Sequence, residues 1–241
     1  MSAQPERYLV IGESGSGKSV LSAELVRSLR ARGVAPLLVV VSADDATESP
    51  LSGLCGTREE VTDEVARRPL DLARFVRERG PAGVYLEVTA YGEAREAFMG
   101  RLGAAVLDVG ACLFVVDEAH ELAGRKADPR LLNVWTRGRK RGVTAVAITQ
   151  SIKQRATSGV SPVILNRSTV LVVFGFADPT GHEAAQVVEF MPEAAPHLPR
   201  LRGPHDGRPP EYLVRHAPSG RAVAMLRTGE VPLSPERGAP V

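Results

Sequence analysis

Gly12, Gly15 and Gly17 stand with Ser16 in the run GESGSGKS, which closes on Lys18 and Ser19. These residue types at this spacing suit one piece of chemistry. Glycines let successive backbone N–H groups curl around phosphate oxygens, and a helix that begins at the lysine adds the positive end of its dipole. Lys18 can then reach the β and γ phosphates of a nucleotide, Ser19 can ligate magnesium, and Val20 carries the binding stretch into the helix. The pattern means most between a strand and a helix. Here Tyr8–Ile11 is continuously apolar before it, and Lys18–Arg30 carries Leu21, Leu25 and Leu29 at a spacing of four after it. A phosphate loop formed by Gly12, Gly15, Ser16, Gly17, Lys18, Ser19 and Val20 is the first expectation.

About a hundred residues later an apolar run, Leu113–Val116, ends in two adjacent carboxylates, Asp117 and Glu118. Side chains alternate along a strand and the chain turns at its end, so the two acids can serve different partners. Asp117 is expected in the magnesium shell, and Glu118 is expected to orient and deprotonate the attacking water. The next apolar run, Val143–Ile148, ends in Thr149 and Gln150. Gln150 is placed to sense the γ-phosphate or the attacking water at the carboxyl edge of the sheet. The guanine-reading N/T-K-x-D motif is absent, so ATP is the expected nucleotide, with Mg2+. Residues 117–120 spell DEAH, a signature of one helicase group, but two recombinase-like domains would need far more chain. His120 therefore reads as a helix-start or surface residue.

Between the acid pair and Gln150, Leu131, Val134 and Trp135 form an apolar stripe, while Arg130, Arg137 and Arg141 align on another face and Arg139 and Lys140 flank it. From Leu122 to Ala177 there are ten basic residues against one acid, Asp128, although the whole chain carries a formal net charge of only +2. Its place in the chain puts the cluster near the nucleotide edge. Arg137, Arg139 or Arg141, with Arg167 as rival, could reach a neighbouring subunit's γ-phosphate as a finger. Lys153 and Arg155, just past Gln150, could contact nucleic-acid backbone.

The elements that must position these groups follow from the alternation of short apolar runs with amphipathic helices, the pattern of a parallel sheet covered on both faces. Core strands are expected at Tyr8–Ile11, Leu37–Val41, Val84–Val88, Leu113–Val116 and Thr144–Ile148, with a sixth apolar run at Thr169–Phe174. Helices are expected at Lys18–Arg30, Leu70–Arg79, Glu93–Leu107, Leu131–Lys140 and His182–Phe190. Pro192–Pro210 reads as loop, and Tyr212–Val214 with Ala222–Leu226 as a closing hairpin. One ATPase domain is expected over residues 1–228, with a loose tail at 229–241. The 44% apolar content excludes a disordered chain. No run approaches a membrane span and no leader pattern opens the chain, so a cytoplasmic location is expected. Two cysteines, Cys55 and Cys112, offer neither a disulfide framework nor zinc-ligand spacing.

The order GESGSGKS, LFVVDEAH, TRGRKRGVTAVAITQS, ILNRSTVLVVFGFAD resembles the FtsK–HerA superfamily of DNA-pumping P-loop ATPases. The likeness spans roughly residues 5–190, by motif more than by continuous similarity. It implies a three-layer α/β fold of the RecA-like, additional-strand catalytic-glutamate type, with a central sheet in 5-1-4-3-2 order. It further implies a ring, usually a hexamer, with ATP at subunit interfaces, an arginine supplied in trans, and double-stranded DNA moved through the pore. Lys18 and Ser19 take the phosphate-loop roles, Asp117 and Glu118 the metal and water roles, and Gln150 the sensor role. No winged-helix module, preceding β-barrel or membrane anchor is expected from the sequence. It is similar in size and layout to the small genome-packaging ATPases of internal-membrane icosahedral viruses, which implies capsid or vertex proteins as further partners. A Zot-like phage assembly ATPase and a HerA-like cellular translocase are the alternatives within the superfamily. A small-molecule kinase or a nucleotide-gated adaptor are those outside it.

Overall fold

Every parallel strand of this protein begins on one edge of a single sheet and ends on the other, and that polarity decides where each functional side chain falls. The computed structural model describes residues 5–43, 49–152, 159–202, 210–216 and 223–227. Its elements in chain order are β1 (Arg7–Ile11), α1 (Lys18–Ala31), β2 (Leu37–Ser42), β3 (Thr57–Val61), α2 (Asp63–Arg67), α3 (Leu72–Arg79), β4 (Val84–Val88) and α4 (Gly92–Val109). Then follow β5 (Cys112–Val116), α5 (Ala119–Leu122), α6 (Pro129–Arg137), β6 (Thr144–Thr149), α7 (Pro162–Arg167), β7 (Val170–Phe174), α8 (His182–Phe190), β8 (Glu211–His216) and β9 (Val223–Arg227). Short 3-10 turns occupy Gly138–Arg141, Pro192–Ala194 and Leu198–Arg200.

The sheet order is β3-β4-β2-β5-β6-β1-β7-β8-β9. With the phosphate-loop strand counted as 1, the acid-pair strand as 3 and the glutamine-ended strand as 4, its centre, β7-β1-β6-β5-β2, reads 5-1-4-3-2 as the resemblance implies. The sheet is longer than that frame. β4 and β3 extend it beyond β2, so Val84–Val88 lies outside β2, and the β8–β9 hairpin adds two antiparallel strands beyond β7.

Alternation along the strands divides the core in two. Leu9, Ile11, Val39, Val41, Phe114 and Val116 point to the face covered by α3, α4, α6 and α8, whereas Tyr8, Val10, Leu38, Val40, Leu113 and Val115 point to α1. Helix α1 buries Leu21, Leu25, Val26 and Leu29 on that second face. On the first face Trp135 is fully buried, its ring edge-on to Phe114 with centroids 6.3 Å apart. Leu131, Val134 and Trp135 are all buried, so the apolar stripe packs as its spacing implies. Helix α6 starts where Asp128 caps Arg130 N at 2.8 Å with Pro129 in the first turn. The Arg130 guanidinium hydrogen-bonded to it also holds the Asp128 carboxyl below the usual range. The helix ends at Arg137 and continues as a 3-10 turn, three residues short of the expected Lys140.

Strand β3, sequence TREEV, escapes a search for apolar runs because only Val61 is buried. It lies parallel to β4 at the sheet edge, where charged residues discourage pairing with another chain. Cys112 is fully buried and Cys55 half-buried, and burial pushes both thiols up to about 12, so both are poor nucleophiles near neutrality. Among the described residues no helix is long and apolar enough to cross a membrane.

Helices α4 and α6 approach closely at Gly103, where a Cβ would stand 2.5 Å from Leu131 Cα and 3.0 Å from the Arg130 carbonyl oxygen. Backbone cannot swing aside as a side chain can. Gly103→Ala is expected to lower unfolding stability by about 1–3 kcal/mol, read as a fall in the urea midpoint. An unchanged midpoint would show that α6 does not sit against α4 in this way.

Candidate nucleotide-hydrolysis site

The phosphate loop leaves β1 at Gly12, whose N–H donates to the Thr149 carbonyl at 3.3 Å and so ties the loop to the end of β6. Gly15 (φ 74) and Gly17 (φ 90) adopt left-handed backbone, which residues with a Cβ adopt at a cost. Gly17 caps α1 without any side-chain acceptor, so the first amides of the helix are not consumed by a capping side chain. Lys18 is 5% exposed, and its Nζ donates to the Glu13 carbonyl at 2.6 Å, which folds the lysine over the loop. Ser16 is buried, Ser19 is half-buried in the first turn of α1, and Val20 is exposed. A Cβ on Gly12 would meet Ser16 Oγ at 2.7 Å and Phe174 Cβ at 2.8 Å, and one on Gly17 would meet Pro210 Cγ at 3.2 Å. Phe174 and Pro210 thus wall the loop from the β7 side, a role with no local signal in the sequence.

Strand β5 ends two strands from β1, with β6 between them. Asp117 and Glu118, 6% and 7% exposed, follow it directly. Asp117 N–H donates to the Val41 carbonyl at 2.8 Å, and Asp117 Oδ1 accepts from Glu118 N at 3.0 Å. Glu118 has left-handed backbone, φ 51 and ψ 50, which costs a residue with a side chain about 1–2 kcal/mol and is often found at functional sites. The turn carries its carboxylate across to β6. There Gln150 Nε2 donates to Glu118 Oε1 at 2.9 Å. His120 Nδ1 lies 3.1 Å from Glu118 Oε2 and 3.4 Å from Thr149 Oγ1. His120 is the second residue of α5, as a helix-start reading implies, but the surface alternative is corrected: its side chain is 12% exposed and faces the acid pair. The four-residue helix α5 turns it inward, and so short a helix leaves no periodicity to read.

Chemically the edge brings together a phosphate cradle, a lysine, a strand-end carboxylate fit to accept a proton, and an amide that touches that carboxylate. Ser19 and Asp117 form an all-oxygen pair on the same edge, the donor type magnesium takes when waters and phosphate oxygens complete its shell. Among the described residues no group of three or more His, Cys, Asp or Glu could hold a metal alone, so nucleotide phosphates would have to complete that shell.

The arginines lie elsewhere. Helix α6 and the turn after it run back against the direction of β5, so Arg137, Arg139 and Arg141 are exposed at the edge where strands begin. Arg141 there accepts at its carbonyl from Ala111 N at 2.9 Å, just before β5. Arg7 opens β1 on the same edge, and its guanidinium is lowered from its ordinary value by burial first and then by the fields of Arg139 and Arg167. An open cavity of about 310 Å3, lined by Arg130, Asn133, Arg137 and Arg141 among others, lies on this side. Placement near the chain's own nucleotide edge is thus corrected, because chain adjacency to β5 and β6 says nothing about which end of a returning helix is meant. Lys153 and Arg155 lie outside the described residues.

With this geometry in place, comparison with known proteins decides the family. The profile of the AAA domain family matches residues 4–155, which include the phosphate loop, the acid pair and Gln150. The chain belongs to the AAA domain family. It is a P-loop NTPase by fold and by family. None of the curated proteins compared matches the sequence. Among solved structures, the genome packaging NTPase B204 from Sulfolobus turreted icosahedral virus 2, in complex with AMP, superposes with a TM-score of 0.65 at 16% identity, covering 92% of this chain and 96% of that one. The same protein in complex with ATP-gammaS gives 0.61 at 14% identity, with 92% and 96% coverage. B204, the DNA-packaging ATPase from Sulfolobus Turreted Icosahedral Virus, gives 0.62 at 17% identity over 92% and 98%. At such identities the likeness is one of fold.

Because the Gly12 position has no room for a methyl group, Gly12→Ala is expected to distort the loop by an overpacking of ~1–3 kcal/mol and to weaken ATP binding about tenfold or more. Titration with a fluorescent ATP analogue measures it. Binding within twofold of wild type would mean that the loop does not hold phosphate in this conformation.

Proposed function

We propose that this protein is an ATP-hydrolysing motor of FtsK–HerA type that moves double-stranded DNA, acting as a viral genome-packaging ATPase. The observation that carries the reading is the contact of Glu118 from β5 with Gln150 from β6, next to a phosphate loop tied to the same β6 end. A carboxylate held there by a second strand suits the activation of water and the reporting of phosphate loss. Packaging is supported by fold likeness to proteins that are themselves genome-packaging NTPases, over nearly the full length of both chains.

In this reading the loop amides and Lys18 hold the β and γ phosphates, while Ser19 and Asp117 would hold magnesium, which supplies charge neutralisation on those phosphates when bound. Glu118 takes a proton from water as its oxygen attacks the γ-phosphorus. The bond from that phosphorus to the bridging oxygen breaks, and ADP and phosphate leave. Gln150, released from Glu118, follows the γ-phosphate and couples its loss to the segment beyond it, where Lys153 and Arg155 would meet DNA backbone. Copies assemble as a ring, six being the expected number, and an arginine from the strand-start edge of one copy serves the next. Capsid or vertex proteins are the expected docking partners. A cytoplasmic site of action, or one at a virion vertex, accompanies that role.

ATP turnover should rise when long double-stranded DNA of any sequence is added, and the stimulation should weaken steeply with salt because phosphate contacts release counterions. Mass measurement with nucleotide bound should give a multiple of the chain. A chain that stays monomeric under all nucleotide conditions and ignores DNA would overturn the motor reading. Turnover that then depends on a small acceptor would mark a kinase.

A further inference from the structure

The two oxygens of the Glu118 carboxylate have different surroundings. Oε1 accepts a well-formed hydrogen bond from Gln150 Nε2 at 2.9 Å. Oε2 is sealed from solvent and has no partner of hydrogen-bond geometry among the described residues, yet His120 Nδ1 lies 3.1 Å away. These facts are compatible: the imidazole nitrogen is close enough to stabilise the anion, but its ring N–H is not aimed squarely at that oxygen.

Donor bookkeeping fixes what His120 presents. Thr149 has one hydroxyl hydrogen, and it is directed to the Ser151 carbonyl at 2.9 Å. Ser151 N–H in turn donates to Thr149 Oγ1 at 3.2 Å. Toward the imidazole, 3.4 Å away, Thr149 can therefore only accept, which puts a hydrogen on His120 Nδ1. The nitrogen that carries it is also the one that lies next to Glu118 Oε2. Ring orientation is thus set by a threonine that is itself fixed by the backbone at the end of β6.

We propose that His120 is a positioning residue for Glu118: its Nδ1, oriented by Thr149 and packed 3.1 Å from Oε2, and the Gln150 amide on Oε1 brace the carboxylate at two points and so hold it in place for the attacking water. The left-handed backbone of Glu118 needs such support, since a strained residue keeps its conformation only where its surroundings over-determine it. His120 touches neither nucleotide nor water in this scheme and acts through Glu118 alone. The inference rests on the reading of Glu118 as the base.

The test compares wild type with Glu118→Gln, His120→Ala, His120→Asn, His120→Leu and the Glu118→Gln/His120→Ala double variant. It reads steady-state kcat and KM for ATP, affinity for a fluorescent ATP analogue, and melting temperature. His120→Ala is expected to lower kcat about tenfold to a hundredfold, below the ~10²–10⁴ for loss of a general base, with KM and nucleotide affinity within about twofold. His120→Asn, whose amide can place an N–H near the Nδ1 position, should recover most of that loss. His120→Leu, which keeps bulk without a donor, should not, and this pair decides the matter if the alanine variant folds poorly. In the Glu118→Gln background, His120→Ala should cost nothing further, because its only route to the chemistry is gone. Turnover of His120→Ala and His120→Leu within twofold of wild type would overturn the proposal. So would a loss that falls on affinity as much as on kcat, or one that multiplies with Glu118→Gln. Wild-type turnover by Glu118→Gln would instead remove Glu118 as the base, and the positioning role with it.

Discussion

The side-by-side parallel pairing of β5, β6 and β1 is the constraint on which the site depends. Leu113 faces Thr144 and Val116 faces Ala147 across one ladder, while Arg7 faces Ala145 and Ile11 faces Thr149 across the other. These registers finish all three strands at the same edge within a residue or two. The acid pair, the Thr149–Gln150 tip and the phosphate loop therefore emerge together, and the Gly12 to Thr149 bond fastens two of them directly. A one-residue slip of β5 would exchange Val116 and Phe114 for Val115 and Leu113 between faces and send the following acids the other way. Shape opposes that slip where polarity cannot: β5 is buried at every position, and a slip would force Leu113 and Val115 into spaces packed for Phe114 and Val116.

Polarity of the sheet has a second consequence. Each connecting helix must carry the chain back to the edge where strands begin, so whatever stands at the end of a helix is remote from the chemistry. The C-terminal turns of α4 and α6 meet there, and Arg7, Arg139 and Arg167 converge on it from β1, the turn after α6, and α7. Burial first, and then the like charges of Arg139 and Arg167, hold the Arg7 guanidinium below its ordinary value. The strand-start edge is thus an electropositive surface, separate from the nucleotide edge of the same copy.

The phosphate loop, the acid pair and Gln150 were legible in sequence because local spacing carries their meaning: four residues between glycines, a lysine at a helix start, polar residues terminating apolar runs. Helix α8 matches its expected bounds, and the six apolar runs all appear as strands, for the same reason. What was not legible depended on direction or on partners. β3 lacks an apolar run because its pairing with β4 is made by backbone. His120 could be read as a helix start but not as inward-facing, because α5 is too short for a periodicity that would show which way it turns. The arginines were misplaced because a count of residues between two strands gives the length of the return path and not the edge at which it delivers a side chain.

That last point bears on how hydrolysis could involve an arginine at all. Strand β6 spans five peptide steps from Thr144 to Thr149, about 16 Å at ~3.3 Å per residue, a separation greater than an arginine side chain can cross. Arg137, Arg139, Arg141 and Arg167 therefore cannot reach the γ-phosphate held by their own chain without unfolding the sheet's ends. If any of them neutralises charge during hydrolysis, it does so in the site of another copy, and the strand-start edge of one chain must face the strand-finish edge of the next. Such head-to-tail contact uses two different surfaces, so it closes into a ring or runs on as a filament and cannot stop at a symmetric pair. Division of the machinery between two edges of one sheet makes a solitary copy an incomplete one in the motor reading, a condition set by the fold before any partner is considered.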